Sequence, residues 1–183
     1  MRRFYAWRPA PARCYRAGMT ELADFILVTA VDQGPDFAGA LFRRKYRAEI
    51  PDFPHHVVAF WKRDDGAFVP ASYVHFTDCG DMLLAGGGAT DGEVIRAMPE
   101  IQRAAITAYG GLMLATLRYG FARWGGAVEA VFTCCGDARA LETTPKVGFV
   151  ETATQHLLVR WMRELPERRK TELTNKARSF MPF

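Results

Sequence analysis

The residues with the clearest chemical potential lie between Tyr109 and Phe149, in the stretch YGGLMLATLRYGFARWGGAVEAVFTCCGDARALETTPKVGF. Gly110-Gly111 stands directly before an amphipathic run. A helix opening there presents free backbone N–H groups, the positive end of its dipole and no side chain to keep an anion away. Such an opening could hold a phosphate. Glycine pairs are also ordinary loop punctuation, and neither the dinucleotide-binding nor the P-loop spacing is present. A second group, Gly86, Gly87 and Gly88, closes the apolar run MLLAGGG. Three bare residues at a strand end mark a bulge, or a ligand lying close against the backbone. Cys134 and Cys135 end another apolar run. A thiol nucleophile needs an adjacent base, and no His is close to them in sequence.

These residues must be held by a regular frame. From Leu112, the residues Leu114, Leu117, Phe121 and Trp124 share one side of a helix whose other side carries Thr116, Arg118 and Arg123. Gly125-Gly126 is expected to end it in a left-handed residue, and Ala127 to Cys135 reads as a buried strand. Upstream, Phe4 to Trp7 is aromatic enough for a first strand. Thr20 is a plausible N-cap for a helix whose buried face is Leu22, Ile26 and Ala30, stopped by Gly34-Pro35. A second helix, Asp36 to Ala48, packs through Phe37, Leu41 and Phe42 and exposes Arg43, Arg44, Lys45 and Arg47. HHVVAFWK and FVPASYVHFTD read as strands joined through Asp64-Asp65-Gly66, and MLLAGG as a third, so this part of the sheet is antiparallel. Asp91 to Tyr109 is mostly helix or loop, with Pro99 suited to a helix start. ETATQHLLVRWM is a last strand, Pro166 begins a charged helix, and SFMPF is apolar enough to dock.

At 183 residues, 49% hydrophobic and 24% charged, the chain reads as a single domain over residues 1–183. Cys14, Cys79, Cys134 and Cys135 lack metal-ligand spacing and read as reduced thiols, so neither zinc nor another metal is expected. No run approaches a signal core or a membrane span, which points to the cytoplasm. The net charge of +4 raises nucleic acid as a partner, but the basic clusters Arg43 to Arg47 and Arg168 to Lys170 are short. Solvated helix faces account for them, and no base-reading motif accompanies them.

The element order and the glycines resemble the GNAT acyltransferase superfamily over nearly the whole chain. The most specific part is DARALETTPKVGF, in which Asp137, Ala140, Thr144, Lys146, Gly148 and Phe149 hold the places of the family's Asn, Ala, Tyr, Lys and Gly-Phe. The resemblance implies an α/β (α+β) fold, a mixed, mostly antiparallel sheet flanked by helices. It implies that acyl-CoA, acetyl or longer, is the co-substrate and that a small-molecule amine accepts the acyl group. Ala85, Gly86 and Gly87 match the strand that binds the pantetheine arm. Tyr109, Gly110, Gly111 and Leu112 match the pyrophosphate loop, which is degenerate because Tyr109 stands at its first glycine. Cys134, Asp137 and Thr144 would complete the donor site. Aminolysis of a thioester needs alignment, a base and an oxyanion donor. The candidate bases are His75, whose ordinary pKa is near neutrality, and Glu93. Some relatives take the acyl group from acyl carrier protein, whose acidic surface would suit Arg43 to Arg47. A domain that has lost catalysis and senses an acyl ligand is the alternative, because Thr144 replaces the Tyr. The sequence leaves open whether two copies associate as a homodimer.

Overall fold

The computed structural model of the chain describes residues 20–183. The expected first strand at Phe4–Trp7, and Cys14, lie outside the described residues. The strands are β1 (Ile26–Val31), β2 (His55–Lys62), β3 (Phe68–Asp78), β4 (Met82–Thr90), β5 (Ala130–Cys134), β6 (Val150–Glu151) and β7 (Leu157–Trp161). They form one sheet in the order β1-β2-β3-β4-β5-β7-β6. Among them β4 and β5 run parallel, and every other neighbouring pair is antiparallel. A parallel pair needs a long crossover. Here it consists of α3 (Gly92–Ala97), α4 (Glu100–Tyr109) and α5 (Leu112–Trp124).

The central strands are covered on both faces, which is why MLLA and AVFT read as unbroken apolar runs rather than alternating ones. Val57, Val74, Phe76, Leu83, Ala85 and Val131 pack against Leu114, Leu117 and Phe121 of α5. On the opposite face Val58, Phe60, Tyr73 and Ala89 meet Ala38, Leu41 and Phe42 of α2 (Gly34–Tyr46). Beside α2, Met82, Leu84, Phe132 and Val159 meet Leu173 and Ala177 of α7 (Glu167–Arg178). Arg169 and Lys176 of α7 fasten it further, reaching Asp81 at 2.7 and 2.6 Å. The final apolar residues dock as expected: Met181 and Phe183 pack on the same cluster.

Three segments depart from the sequence reading. The apolar spacing from Leu22 to Ala30 predicts one helix, yet only α1 (Leu22–Phe25) is helical, closed at its start by a reciprocal Glu21–Asp24 capping box. Ile26–Val31 instead pairs antiparallel with β2, from Ile26 opposite Trp61 to Val31 opposite His56. ILVTAV is rich in β-branched residues, and a six-rung ladder satisfies its backbone where an isolated turn of helix could not. Gly125 is right-handed at φ −62° and continues into a single 3₁₀ turn. ETATQHLLVRWM is two strands, β6 and β7, joined by a turn in which His156 takes φ +66°.

Candidate active site

β4 and β5 pair from Met82 opposite Ala130 to Ala85 opposite Thr133, and no further. β4 runs on to Thr90 against β3, with His75 opposite Gly86 and Tyr73 opposite Ala89. Gly87 and Gly88 therefore stand against Val74 alone, which is a β-bulge. β5 stops at Cys134 and turns through Gly136 towards α6 (Ala138–Thr143). The two parallel neighbours part, and a cavity of about 760 Å³ opens where they do. Its floor is Ala85 to Gly88 and Thr133 to Cys135. Met113 at the start of α5, Tyr46 of α2, Phe53 and Phe183 form the walls.

The glycines of the bulge are close-approach positions. A Cβ on Gly87, at φ +59°, would lie 2.5 Å from the His75 ring and 2.8 Å from that of Phe42. One on Gly86 would lie 2.9 Å from His75 Nε2 and 3.0 Å from the Phe183 carbonyl carbon. One on Gly88 would lie 3.1 Å from the Met113 methyl. What comes against the bare strand is thus the protein's own side chains and its final described residue.

His75 is 4% exposed and stacks on Phe53 with ring centroids 3.4 Å apart. Burial first, and then the neighbouring His56, push its pKa down to about 3, so it is neutral across the physiological range. Its Nδ1 is buried without a hydrogen-bond partner among the described residues. His56 sits opposite it in the β2–β3 ladder and bonds Tyr73 Oη through Nδ1 at 2.8 Å. At the cavity mouth Tyr46 donates its hydroxyl to the Gly88 carbonyl at 2.7 Å. Next to it Lys45 bridges to Asp137 at 3.0 Å, from α2 to the far bank. Thr144 lines the cavity but is 5% exposed, and its hydroxyl donates to Ala140 O at 2.9 Å.

The structure gathers His75, Ala85, Gly86, Gly87, Cys134, Asp137 and Thr144 around this one cavity. Glu93 is elsewhere: it is on α3, its side chain is 81% exposed, and it lies near Arg96. Tyr109 faces a different, shallower groove of about 1040 Å³ between α1, β1, α4 and α5, where Arg118 stacks over its ring at 5.0 Å. That groove is wide open and borders neither the parted strands nor the bulge, so its size does not make it the better site. The N–H groups of Gly110 and Gly111 both reach Ile106 O, at 3.2 and 2.9 Å, and close α4. The uncapped amides at the start of α5 therefore begin at Leu112, with Gly111 as an N-cap lacking any side-chain bond. Met113, the next residue, is the one that enters the cavity wall. Pro182 and Phe183 as wall residues had no signal beyond the apolarity of SFMPF. Tyr46 and Phe53 were legible as aromatics of the segment expected to wall the acceptor site, where they suggest an apolar ligand although core packing explains them equally well.

No protein-family model matches the sequence, and no curated protein matches it. Solved structures do. The ribosomal-protein-S18-alanine N-acetyltransferase from Escherichia coli superposes with a TM-score of 0.52 at 12% identity, over 78% of this chain and 97% of that one. N-acetylglutamate synthase from Neisseria gonorrhoeae, in complex with coenzyme A and L-arginine, gives 0.53 at 14% identity over 76% of this chain. This chain spans 34% of the length of that synthase. It spans 48% of a chain from Pyrococcus horikoshii assigned as an acetyltransferase, which is 10% identical with a TM-score of 0.48. The fold is that of the GNAT acyltransferases: among the described residues, a mixed seven-stranded sheet with one parallel pair, β4 and β5, near its centre.

Proposed function

We propose that the protein transfers an acyl group from acyl-CoA to an amine in the cavity between β4 and β5. The observation that carries this is the loss of pairing beyond Ala85 and Thr133, which leaves the edge of β4 facing the gap without a strand partner. Unpaired strand edges are the natural partners of an extended amide-bearing ligand such as a pantetheine arm. The start of α5 adjoins this edge, since Met113 abuts Gly88, and its uncapped amides suit a diphosphate. Three members of the basic cluster on α2 are paired within the chain, Arg43 with Glu49, Arg44 with Asp91 and Lys45 with Asp137. This charge compensation favours free acyl-CoA over a carrier protein as donor. His75 stays neutral and serves as a packed wall of the cavity rather than as the base, because a base with so low a pKa would not retain the amine's proton. The bulge supplies main-chain N–H groups for the oxyanion.

A second reading, a catalytically silent acyl-ligand sensor, is favoured by one observation: the Thr144 hydroxyl is turned back onto Ala140 O of the preceding helix, α6. Thermal melting with acetyl-CoA, a long-chain acyl-CoA and CoA, followed by CoA release over an amine panel, separates the two. Stabilisation with CoA release supports the transferase, and stabilisation without release across the panel supports the sensor. No rise in melting temperature with any of the three ligands contradicts both.

A further inference from the structure

We propose that the Tyr46 hydroxyl is the hydrogen-bond donor to the sulfur that leaves during acyl transfer, an inference that rests on the acyl-CoA reading above. Aminolysis of a thioester joins the amine nitrogen to the acyl carbon and breaks the C–S bond, with the electron pair going to sulfur. The thiolate so formed takes up the proton given up by the nitrogen, and the products are an amide and a thiol. Negative charge accumulates on sulfur before that proton arrives, so a donor aimed at it lowers the barrier.

Several other side chains with donors line the cavity, and Thr90 and Thr133 are engaged within the chain, Thr90 with Ser72 Oγ at 2.9 Å and Thr133 with Cys135. Thr144 is bonded to Ala140 O, and Lys45 is paired with Asp137 at the rim. His75 is stacked under Phe53 and packed against Gly86 and Gly87. Tyr46 is different. Its ring is braced by Phe42 at 4.6 Å, and its hydroxyl reaches across to Gly88 O, within the bulge. The same phenol lines the cavity together with Cys135 and Asp137 beyond the end of β5. It stands at the mouth of the cavity that the ends of both parted strands line, over the bulge of β4 along which a thioester would lie. Partial burial at the cavity mouth, followed by Cys135 and Asp137, raises its pKa above the ordinary phenol value, although the residue as a whole is 42% exposed. An alkyl thiol ionises near 8.5, so the phenol keeps its proton and acts by hydrogen bonding rather than by full transfer. Turning the hydroxyl from the Gly88 carbonyl to the sulfur exchanges one bond for a charge-assisted one.

The test is the ionisation of bound CoA, followed by thiolate absorbance in the wild type and in Tyr46→Phe. Losing the donor is expected to raise the bound thiol's pKa by about one unit, a tenfold drop in thiolate near neutrality. Affinity for desulfo-CoA, which has no sulfur to bond, should change less than about twofold. Equal thiol pKa values in the two proteins overturn the proposal. A large loss of desulfo-CoA affinity in a folded variant also overturns it, since Tyr46 would then be only a wall. If Tyr46→Phe does not fold, 3,5-difluorotyrosine at position 46 keeps the ring and strengthens the donor. The bound thiol's pKa must then fall below the wild-type value, and an unchanged value contradicts the assignment. If wild-type protein binds desulfo-CoA but not CoA, the sulfur has no place beside Tyr46 and the proposal fails. If it binds neither, the acyl-CoA reading itself fails.

Discussion

The His75 ring fills the space in which a Gly87 side chain would lie, and each constrains the other. An unfolded chain protonates a histidine near pH 6.5, whereas folded His75 does so only near 3. Between those values the unfolded state binds more protons, so acid favours unfolding. The contribution of the neutral ring is complete above pH 6.5 and falls by about 1.4 kcal/mol per pH unit below it. His56, whose pKa is also lowered, chiefly by burial, adds in the same direction. His75→Phe keeps a ring against Phe53 and removes one of the two titrations. Its melting temperature should decline less than the wild type's between pH 7.5 and 5, and parallel declines would show that His75 does not govern acid stability. Gly87→Ala is expected to destabilise by about 3 kcal/mol, combining a left-handed residue with overpacking against His75 and Phe42. Chemical denaturation with a loss under about 1 kcal/mol would mean that the bulge can relax. His75 and the glycines were legible as candidates in the sequence because a ring near neutrality and a bare strand end have meaning by type alone. That the ring fills the space over the glycines was not legible, because it depends on the register that sets His75 opposite Gly86.

At the scale of elements, the start of α5 is the part with the most specific demand. Gly111 has φ +103° and ψ 160°, a region essentially closed to other residues, and nothing lies within 4 Å of where its Cβ would be. Strain rather than collision is therefore the cost of a side chain there, about 1–3 kcal/mol. Gly111→Val should lower stability by that amount and weaken CoA binding by about tenfold, through displacement of the amides that follow. Calorimetric affinities that agree within about twofold would remove the helix start from the site. The α5 helix was readable from the spacing of its apolar face, and strands β2, β3 and β4 from apolar runs bounded by turn residues. α1 and β1 were not: LADFILVTA offers helical spacing and β-branched composition at once, and the choice is made by pairing with β2, whose partners lie 25 to 35 residues further along the chain, rather than by local preference. The same holds for β6 and β7, where the turn at His156 lacks the Gly or Pro that would have announced it.

At the scale of the molecule, sheet order is what creates the site. Antiparallel pairing of β5 with β7 continues to Cys134 opposite Leu157, while parallel pairing of β5 with β4 ends at Ala85 and Thr133. β5 therefore follows β7 away from β4, and the gap is a product of topology rather than of any single side chain. α2 and α7 lie on one face and α5 on the other, so the gap is walled from both sides. Among the described residues no helix is long and apolar enough to cross a membrane. The most direct test of the account is a titration of CoA into isotope-labelled protein, read by backbone amide chemical shifts. Saturable changes concentrated at Ala85 to Gly88, Leu112 to Leu114 and Thr133 to Asp137 are the predicted result. Changes confined to the groove beside Tyr109, or none at millimolar CoA, would contradict it.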